Sequence, residues 1–299
     1  MRGRGRENQH GGRTSAVTIS SEALRQRLSS LRQGQARPEG AGPAGAAAPR
    51  PGRTTSSDLG QCFPEGAVRR GPRGEVFTCE LPLRELHSDA SRLTESYLGA
   101  FEAARRLARE GRLPRYLEPL EAAKPAETAL IDTETAGFHG RPLFLVGLLR
   151  WQGDGLGLTQ LFARDYAEEA AVLERLAGLL PGLGVLISFN GKAFDWPFVR
   201  DRMSYHRLRC EEAPAHLDLL HPSRRRWRER LPNCKLQTLE RYLCGRWRSG
   251  DLPSHEIPQR YHDFVREQDA RLIAPVFHHN RLDLITMAEL LVALVRSER

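Results

Sequence analysis

The sequence lacks the long apolar runs that identify membrane proteins. No apolar stretch reaches the ~18 residues that a membrane-spanning helix requires, in a chain of 299 residues of which 40% are hydrophobic. The arginine-rich start is followed by polar sequence rather than by the apolar core of a signal peptide. We therefore expect a protein without a membrane segment, located in the cytoplasm.

Cysteine pairs and the common nucleotide-binding and hydrolase signatures are also missing. The five cysteines are odd in number and form no C-x-x-C pair, which argues against a disulfide framework or a cysteine zinc site. Gly191-Lys192 has neither the upstream glycine nor the following hydroxyl residue of a P-loop. The chain contains no G-x-G-x-x-G, G-x-S-x-G or H-E-x-x-H motif either, so the chemistries tied to those motifs are not expected.

Positive charge is concentrated in two parts of the chain. The formal net charge is +8, and residues 1–56, with ten arginines and three glutamates, contribute +7. Residues 222–248 contribute another +7, so the remainder of the chain is acidic. A basic band on an acidic background is typical of a protein that contacts a polyanion over part of its surface. A solvated, arginine-rich helix face is the alternative interpretation.

Composition divides the chain into three parts. Residues 1–56 are rich in Arg, Gly, Ala and Pro, and we expect a disordered arm that cannot bury a core. Residues 57–125 are interpreted as an accessory segment, with a short strand at Val76–Cys79 and an amphipathic helix over 91–110. Residues 126–299 carry the pattern of the main domain.

The main domain has the pattern of an α/β fold with a mixed sheet. Three strands come first, then helix, strand, helix, strand and further helices. The expected strands are 129–134, 143–151, 158–163, 184–189 and 216–219, and the expected helices are 168–180, 194–203, 223–246 and 280–296.

Carboxylates stand where two of these strands end. Asp132 and Glu134 are two residues apart, so on a strand they share one face and repel each other unless a cation lies between them. A solvated strand end is the alternative. Asp195 follows a buried strand through an Asn-Gly turn, at the rim where open α/β sheets bind ligands. Taken alone, Asp195 is better explained as a helix N-cap, with Pro197 in the first turn.

A further acid, Asp283, lies one residue before the apolar stripe of the final helix and follows two histidines, His278 and His279. If the helix extends back through His279, that ring lies ~40° from Asp283 around the helix, whereas His278 lies ~140° away. If the helix begins at Asn280, neither angle applies. Two exposed histidines and a first-turn aspartate favoured by the helix dipole are the alternative.

Taken in chain order, these segments resemble the DEDD exonucleases of the ribonuclease-H-like superfamily. Ile131–Thr135 is similar to the first motif of that family, Asn190–Pro197 to the second, and His278 or His279 with Asp283 to the third. Further segments are similar to its bacterial YprB-like branch: Asp218–His221, Leu236–Glu240, Asp251–Pro253, Glu256–Pro258 and His279-Asn280. The resemblance covers residues 126–299 well and residues 57–125 weakly.

The resemblance implies a ribonuclease-H-like mixed sheet flanked by helices and a metal-dependent nuclease, with 3′→5′ exonuclease activity on single-stranded DNA or RNA. It also implies two Mg²⁺ or Mn²⁺ ions held by Asp132, Glu134, Asp195 and Asp283. His279 or His278 would be the general base, since both spacings before Asp283 are filled by histidine. A protein that binds nucleic acid without cutting it and a structure-specific endonuclease are the alternatives.

Because an acidic site repels a polyanion, we expect the substrate to be held by other residues. Arginine offers bidentate contacts to phosphate, and an indole offers a face to an unstacked base. The candidate nucleic-acid-binding residues are Asn190, Arg224, Arg225, Arg226, Trp227 and Arg228. A tryptophan packed in the core and an asparagine that serves only the turn are the alternatives for Trp227 and Asn190.

Overall fold

The computed structural model of the protein describes residues 58–137, 140–210 and 215–298. The arm expected at residues 1–56 lies outside the described residues. Seven strands occupy the described ranges: β1 (Gly66–Gly71), β2 (Gly74–Pro82), β3 (Thr128–Thr135), β4 (Leu143–Gln152), β5 (Gly155–Phe162), β6 (Val185–Ser188) and β7 (Ala215–Asp218).

The strands form one mixed sheet in the order β1-β2-β5-β4-β3-β6-β7. Neighbouring strands are antiparallel from β1 to β3, and β3, β6 and β7 are parallel to one another. The first seven residues of β4 and the last seven of β5 are buried. Such continuous apolar burial requires cover on both faces of the sheet. The expected mixed α/β sheet is confirmed.

Helices provide this cover. They are α1 (Leu59–Cys62), α2 (Ala90–Arg109), α3 (Pro119–Ala122), α4 (Glu169–Ala177), α5 (Asp195–Tyr205), α6 (Leu220–Trp227), α7 (Leu236–Leu239), α8 (Ile257–Glu267) and α9 (Ala270–Ser297). Helix α9 packs against β3 and β4 and against α2, and α4 packs against β2, β4 and β5. In the ranges described, no helix combines the length and the apolar character that crossing a membrane requires.

Residues 58–125 contribute directly to this sheet. Strand β2 contains the expected short strand and pairs with β5, and β1 pairs with β2 at the sheet edge. The expected helix corresponds to α2, which buries Leu93, Tyr97, Phe101 and Leu107. The segment therefore adds two strands to one edge of the main sheet, and its helix α2 packs against α9.

The expected start of the final helix is wrong. The final helix begins at Ala270 rather than near Asn280 and contains Pro275 as its sixth residue. Asp269 caps this earlier start, since its side chain accepts a hydrogen bond from the Arg271 amide. The helices expected over roughly 223–246 correspond to the end of α6, to α7 and to a π-helical turn over Glu240–Cys244, with a break after Trp227.

Candidate active site

The acids of β3 lie beyond the part of that strand that pairs with β6. The β3–β6 ladder covers only Thr128–Leu130, so the Asp132–Glu134 stretch has no strand neighbour on that side. A β-bulge follows between Glu134 and Thr135. Asp132 and Glu134 are both partly buried. The strand end therefore offers two recessed carboxylates and an open edge that a loop can approach.

Across the sheet, a glycine lets the final helix approach Asp132. Gly147 of β4 is paired with Asp132, and a Cβ at Gly147 would lie 2.1 Å from Oδ1 of Asn280 on α9. This close approach brings the Asn280 amide to the acid, so that its Nδ2 donates to Asp132 Oδ2 at 2.8 Å. Only glycine at this position leaves room for that contact.

A buried polar chain fixes the orientation of the Asn280 amide. Gln160, fully buried on β5, donates from Nε2 to Asn280 Oδ1 at 2.9 Å. Arg281 donates from Nε to Gln160 Oε1 at 2.8 Å and pairs with Glu65 at 2.6 Å. These side-chain contacts connect Glu65, just before β1, with the carboxylate of Asp132. This network was not predicted from the sequence, although a glutamine inside an apolar strand is a signal of a buried hydrogen-bond network.

Asp195 approaches the open edge of β3. It is the first residue of α5, and Phe194 is the N-cap residue, so the interpretation of Asp195 as a helix cap is wrong. Its Oδ1 accepts a 2.6 Å hydrogen bond from Thr133 Oγ1. The carboxylate is thereby tied to β3 as well as to its own backbone amide, close enough for its charge to act on Asp132.

The loop that carries Asp195 is built around a tight turn. Asn190 has a φ of +68°, in the left-handed region that asparagine tolerates better than most residues. A Cβ at Gly191 would lie 2.5 Å from Ser188 Oγ. Asp218, at the end of β7, accepts hydrogen bonds from the Asn190 and Lys192 amides at 2.8 and 3.1 Å. Asp218 therefore acts as a positioning residue for the loop, and Asn190 fulfils the turn role that was its alternative.

Both histidines of the third motif lie inside α9, so the angular argument holds. His279 is buried and its Nε2 lies 3.4 Å from Asp283 Oδ2, while its Nδ1 lies 3.1 Å from both oxygens of Asp251. His278 is exposed. The structure brings His279 to the face of Asp283 and leaves His278 on a different face of the helix.

A buried arginine pairs with Asp283. The side chain of Arg248 is 6% exposed, and its Nη2 lies 2.6 Å from Asp283 Oδ1. Its Nη1 contacts Asp251 at 3.0 Å and its Nε contacts Glu240 at 2.5 Å. Sequence analysis counted Arg248 in the basic band and quoted Asp251 only as part of a motif, because ion pairs between distant segments leave no local pattern.

The acids interact strongly with one another. Burial, followed by the charges of Asp283 and Asp195, raises the pKa of Asp132 well above its usual range. Burial and the charges of Asp132, Asp283 and Asp195 do the same to Glu134. Burial also raises the pKa of Asp195, opposed by its hydrogen bond from Thr133. Four carboxylates from three separate segments thus share one recessed site.

In the adjacent His279–Asp251 pair, opposite charges favour the ionised form of each residue. Burial alone would lower the pKa of His279, but the carboxylates of Asp251 and Asp283 outweigh burial and raise it. Burial alone would raise the pKa of Asp251, but His279 and Arg248 lower it to about 2. Asp251 therefore stays ionised and fixes the orientation of the histidine ring.

The donor set fits hard divalent cations. Over the described ranges, no three His, Cys, Asp or Glu side chains are grouped closely enough to hold an ion in this conformation, and Asp283 is paired with Arg248. The four carboxylates nevertheless supply only oxygen donors, which Mg²⁺ and Mn²⁺ prefer. Burial and repulsion from the neighbouring carboxylates raise the pKa values of Asp132 and Glu134, and a bound cation would relieve that repulsion.

The basic helix α6 divides into exposed arginines and a buried tryptophan. Arg224, Arg225, Arg226 and Arg228 are exposed. Trp227 is only 5% exposed, so its ring is packed in the core and the expected base-stacking role is wrong for this conformation. Arg226 donates from Nη2 to the carbonyl of Ser297, at the far end of α9 from Asp283. The exposed arginines therefore lie well away from the acids.

Comparisons with known proteins identify the family of the chain. Residues 129–295 match the RNase H superfamily. The uncharacterised protein YprB of Bacillus subtilis (strain 168) is 32% identical over 166 residues, which are 54% of this chain and 40% of that relative. A family B DNA polymerase from the hyperthermophilic archaeon Pyrobaculum calidifontis aligns with a TM-score of 0.45 and 15% identity, over 55% of this chain and 24% of the polymerase chain. The superfamily match spans more than half of the sequence, and the chain belongs to the RNase H superfamily.

Proposed function

We propose that this protein is a metal-dependent nuclease that hydrolyses phosphodiester bonds, acting as a 3′→5′ exonuclease on single-stranded DNA or RNA. The observation that supports this proposal is the meeting of Asp132, Glu134, Asp195 and Asp283 in one recessed site of an RNase H-superfamily fold. All four side chains are partly buried, so each keeps some access to solvent and to a substrate.

The four carboxylates would hold two divalent ions, Mg²⁺ or Mn²⁺. Such a pair supplies an activated water and stabilises charge on the attacking and leaving oxygens of a phosphodiester. The chain's own contribution is to orient the ligands. Asn280 holds one oxygen of Asp132 and Thr133 holds one oxygen of Asp195, so each acid keeps its other oxygen for an ion.

His279 is the proposed general base. It shares the face of Asp283, and Asp251 fixes its Nδ1 side, which leaves Nε2 directed toward the acids. To accept a proton from water, the imidazole must first be neutral. Since the neighbouring carboxylates raise its pKa, the rate should increase with pH through a value above that of an ordinary histidine. His278, exposed on another face, does not fit this role.

The direct test is cleavage of 5′-labelled single-stranded DNA and RNA in Mg²⁺ or Mn²⁺, with Asp132→Asn beside the wild type. Loss of one carboxylate at a two-metal site should lower the rate by about 10²–10⁴-fold. Asp154→Asn is a matched control, because the Asp154 side chain is 92% exposed and lies in a surface turn. Equal turnover by the wild type and Asp132→Asn would remove the site assignment.

The products separate the proposed activity from its alternatives. A 3′→5′ exonuclease shortens a 5′-labelled strand stepwise and leaves a circular single strand intact. A structure-specific endonuclease produces internal cuts, including in the circle. A protein that only binds nucleic acid shifts the strand in a gel without shortening it, and shows no divalent-cation binding that depends on the carboxylates.

A further inference from the structure

The segment 246–248 turns two arginines inward and one tryptophan outward. Arg246 contacts Glu240 at 3.0 Å and Glu289 at 2.6 Å. Arg248 contacts Glu240 as well, but it extends to Asp251 and Asp283. Trp247, between them, is 64% exposed. This alternation, typical of extended backbone, directs both guanidinium groups toward the inside of the protein.

The two arginines balance different carboxylates. The Glu240 side chain is 1% exposed and already pairs with Arg246, so its charge is balanced without Arg248. Asp251 is likewise balanced in part by His279. Asp283 has two such neighbours: Arg248 lies 2.6 Å from its Oδ1, and Nε2 of His279 lies 3.4 Å from its Oδ2, so the arginine makes the shorter contact. Arg248 therefore chiefly balances the acid site.

We propose that Arg248 is an internal counter-cation that competes with divalent metal for Asp283, and that it thereby sets the metal affinity of the site. This inference rests on the proposed function, in which Asp283 is a metal ligand. A positive charge 2.6 Å from a ligand oxygen opposes the binding of a second cation, strongly so at a recessed position where solvent screening is weak. The ion pair must loosen before Asp283 can donate fully to a metal.

The test is calorimetric titration of the full-length protein with Mn²⁺ alone, in the absence of nucleic acid. Arg248→Met removes the competing charge, and its affinity for Mn²⁺ should increase by about ten-fold or more. Arg246→Met is the matched control, since it deletes the other, partly exposed arginine partner of Glu240 without touching Asp283, and its affinity for Mn²⁺ should stay within about two-fold of wild type. Unchanged or weaker binding by Arg248→Met overturns the proposal.

A second variant keeps the proposal testable if Arg248→Met does not fold. Arg248→Lys retains one positive charge, but a single ammonium cannot span Glu240, Asp251 and Asp283 together. Release of Asp283 should therefore strengthen Mn²⁺ binding by about three-fold, less than the loss of the whole charge. A lysine variant that binds Mn²⁺ no more tightly than the wild type also overturns the proposal.

Nuclease assays on the same preparations separate this inference from the proposed function. If the wild type binds Mn²⁺ and cleaves nucleic acid but Arg248→Met binds no more tightly, only the inference fails. If Arg248→Met binds Mn²⁺ more tightly and no preparation cleaves DNA or RNA, the inference stands and the proposed function fails. Absence of carboxylate-dependent Mn²⁺ binding in every preparation contradicts both.

Discussion

At the scale of single residues, Asp132 combines a proposed catalytic role with a cost to stability. Burial and two neighbouring carboxylates raise its pKa above the unfolded value. An acid with a raised pKa in the folded state disfavours folding once it is ionised, so this penalty develops as pH rises above the pKa of the unfolded chain. The carboxylates that support the proposed activity are therefore also a source of strain in the metal-free protein.

We predict that Asp132→Asn stabilises the metal-free protein at pH 7 while lowering its nuclease rate by about 10²–10⁴-fold. The neutral amide removes the repulsion from Asp283 and Asp195, and its oxygen can still accept the hydrogen bond from Asn280. The free energy of unfolding should increase by about 1 kcal/mol. Urea unfolding at pH 7 and pH 4 measures this. The gain should shrink at pH 4, where the wild-type acid is more protonated, and a variant less stable at pH 7 would contradict the prediction.

The second prediction at this scale concerns the pH profile. Burial lowers the pKa of His279, but Asp251 and Asp283 raise it overall. Asp251→Asn removes one of these carboxylate charges, so the His279 pKa should fall. The rising, acidic limb of the kcat/KM profile should then move to lower pH. Titration of the His279 ring by NMR checks the assignment independently, and an unmoved limb would exclude His279 as the base.

The four acids were predictable from the sequence because each stands at a position that local structure defines: a strand end, a turn after a strand, and a helix near its apolar stripe. The roles of Arg248 and Gln160 were not predictable, because their contacts join segments far apart in the chain. The prediction that the Trp227 ring stacks on a base was wrong for a related reason. A single apolar residue among arginines does not reveal whether its ring packs inward or faces solvent.

At the scale of elements, the approach of α9 to β4 determines where Asp132 can be held. We predict that Gly147→Ala lowers both stability and nuclease activity, because the added Cβ would lie 2.1 Å from Asn280 Oδ1 and 2.7 Å from Leu284 Cδ1. Overpacking of this kind costs about 1–3 kcal/mol. Gly155→Ala in β5 is the control, since its Cβ would meet only Thr94 atoms at 3.8 Å and beyond. Thermal unfolding and cleavage rates of the two variants should differ clearly.

Helices α4 and α5 are joined by a buried ion cluster. Glu169, with a side chain 2% exposed, accepts from Arg202 and from the Leu143 amide and contacts His206 at 2.8 Å. Arg202→Met should cost about 3–5 kcal/mol of unfolding free energy, because it leaves a buried carboxylate without its main partner. The double variant Glu169→Gln/Arg202→Met should recover part of this loss. Denaturant unfolding measures the free energies of the single and double variants, and additive changes in free energy would show that the pair is not coupled.

The elements themselves were largely predictable. The buried strands β3, β4 and β5 follow from continuous apolar runs bounded by turns. The early start of α9 was missed because Pro275 and the polar His-His-Asn sequence resemble a helix boundary. The Asp269 cap and the packing of Val276 and Phe277 in the core favour the longer helix.

At the scale of the whole molecule, the exposed arginines of α6 are separated from the acids. Arg226 contacts Ser297, which lies fourteen residues beyond Asp283 on α9, or ~21 Å at the rise of an α-helix. Such a separation suits contacts to the body of a strand whose end is in the acidic site. The sign of the charge was predictable from composition, whereas this distance was not.

We predict that Arg224→Ser/Arg228→Ser weakens binding of single-stranded oligonucleotides while kcat at saturation changes little. If both side chains contact phosphates, the slope of log Kd against log salt should fall by about 1–2. Arg92→Ser/Arg109→Ser, which removes two exposed arginines of α2, is the matched control. Fluorescence anisotropy at several salt concentrations measures the slopes, and equal slopes for the two double variants would exclude α6 from the binding surface.

The pairing of β2 with β5 bears on how short a working protein can be. The superfamily match begins at residue 129, yet β5 hydrogen-bonds to β2 along Phe77–Pro82. A fragment that begins at that boundary would expose the unpaired edge of β5, which is a template for intermolecular aggregation. It would also remove the ion pair between Arg281 and Glu65. The smallest soluble, active fragment should accordingly start upstream of Glu65, more than sixty residues before the recognisable homology.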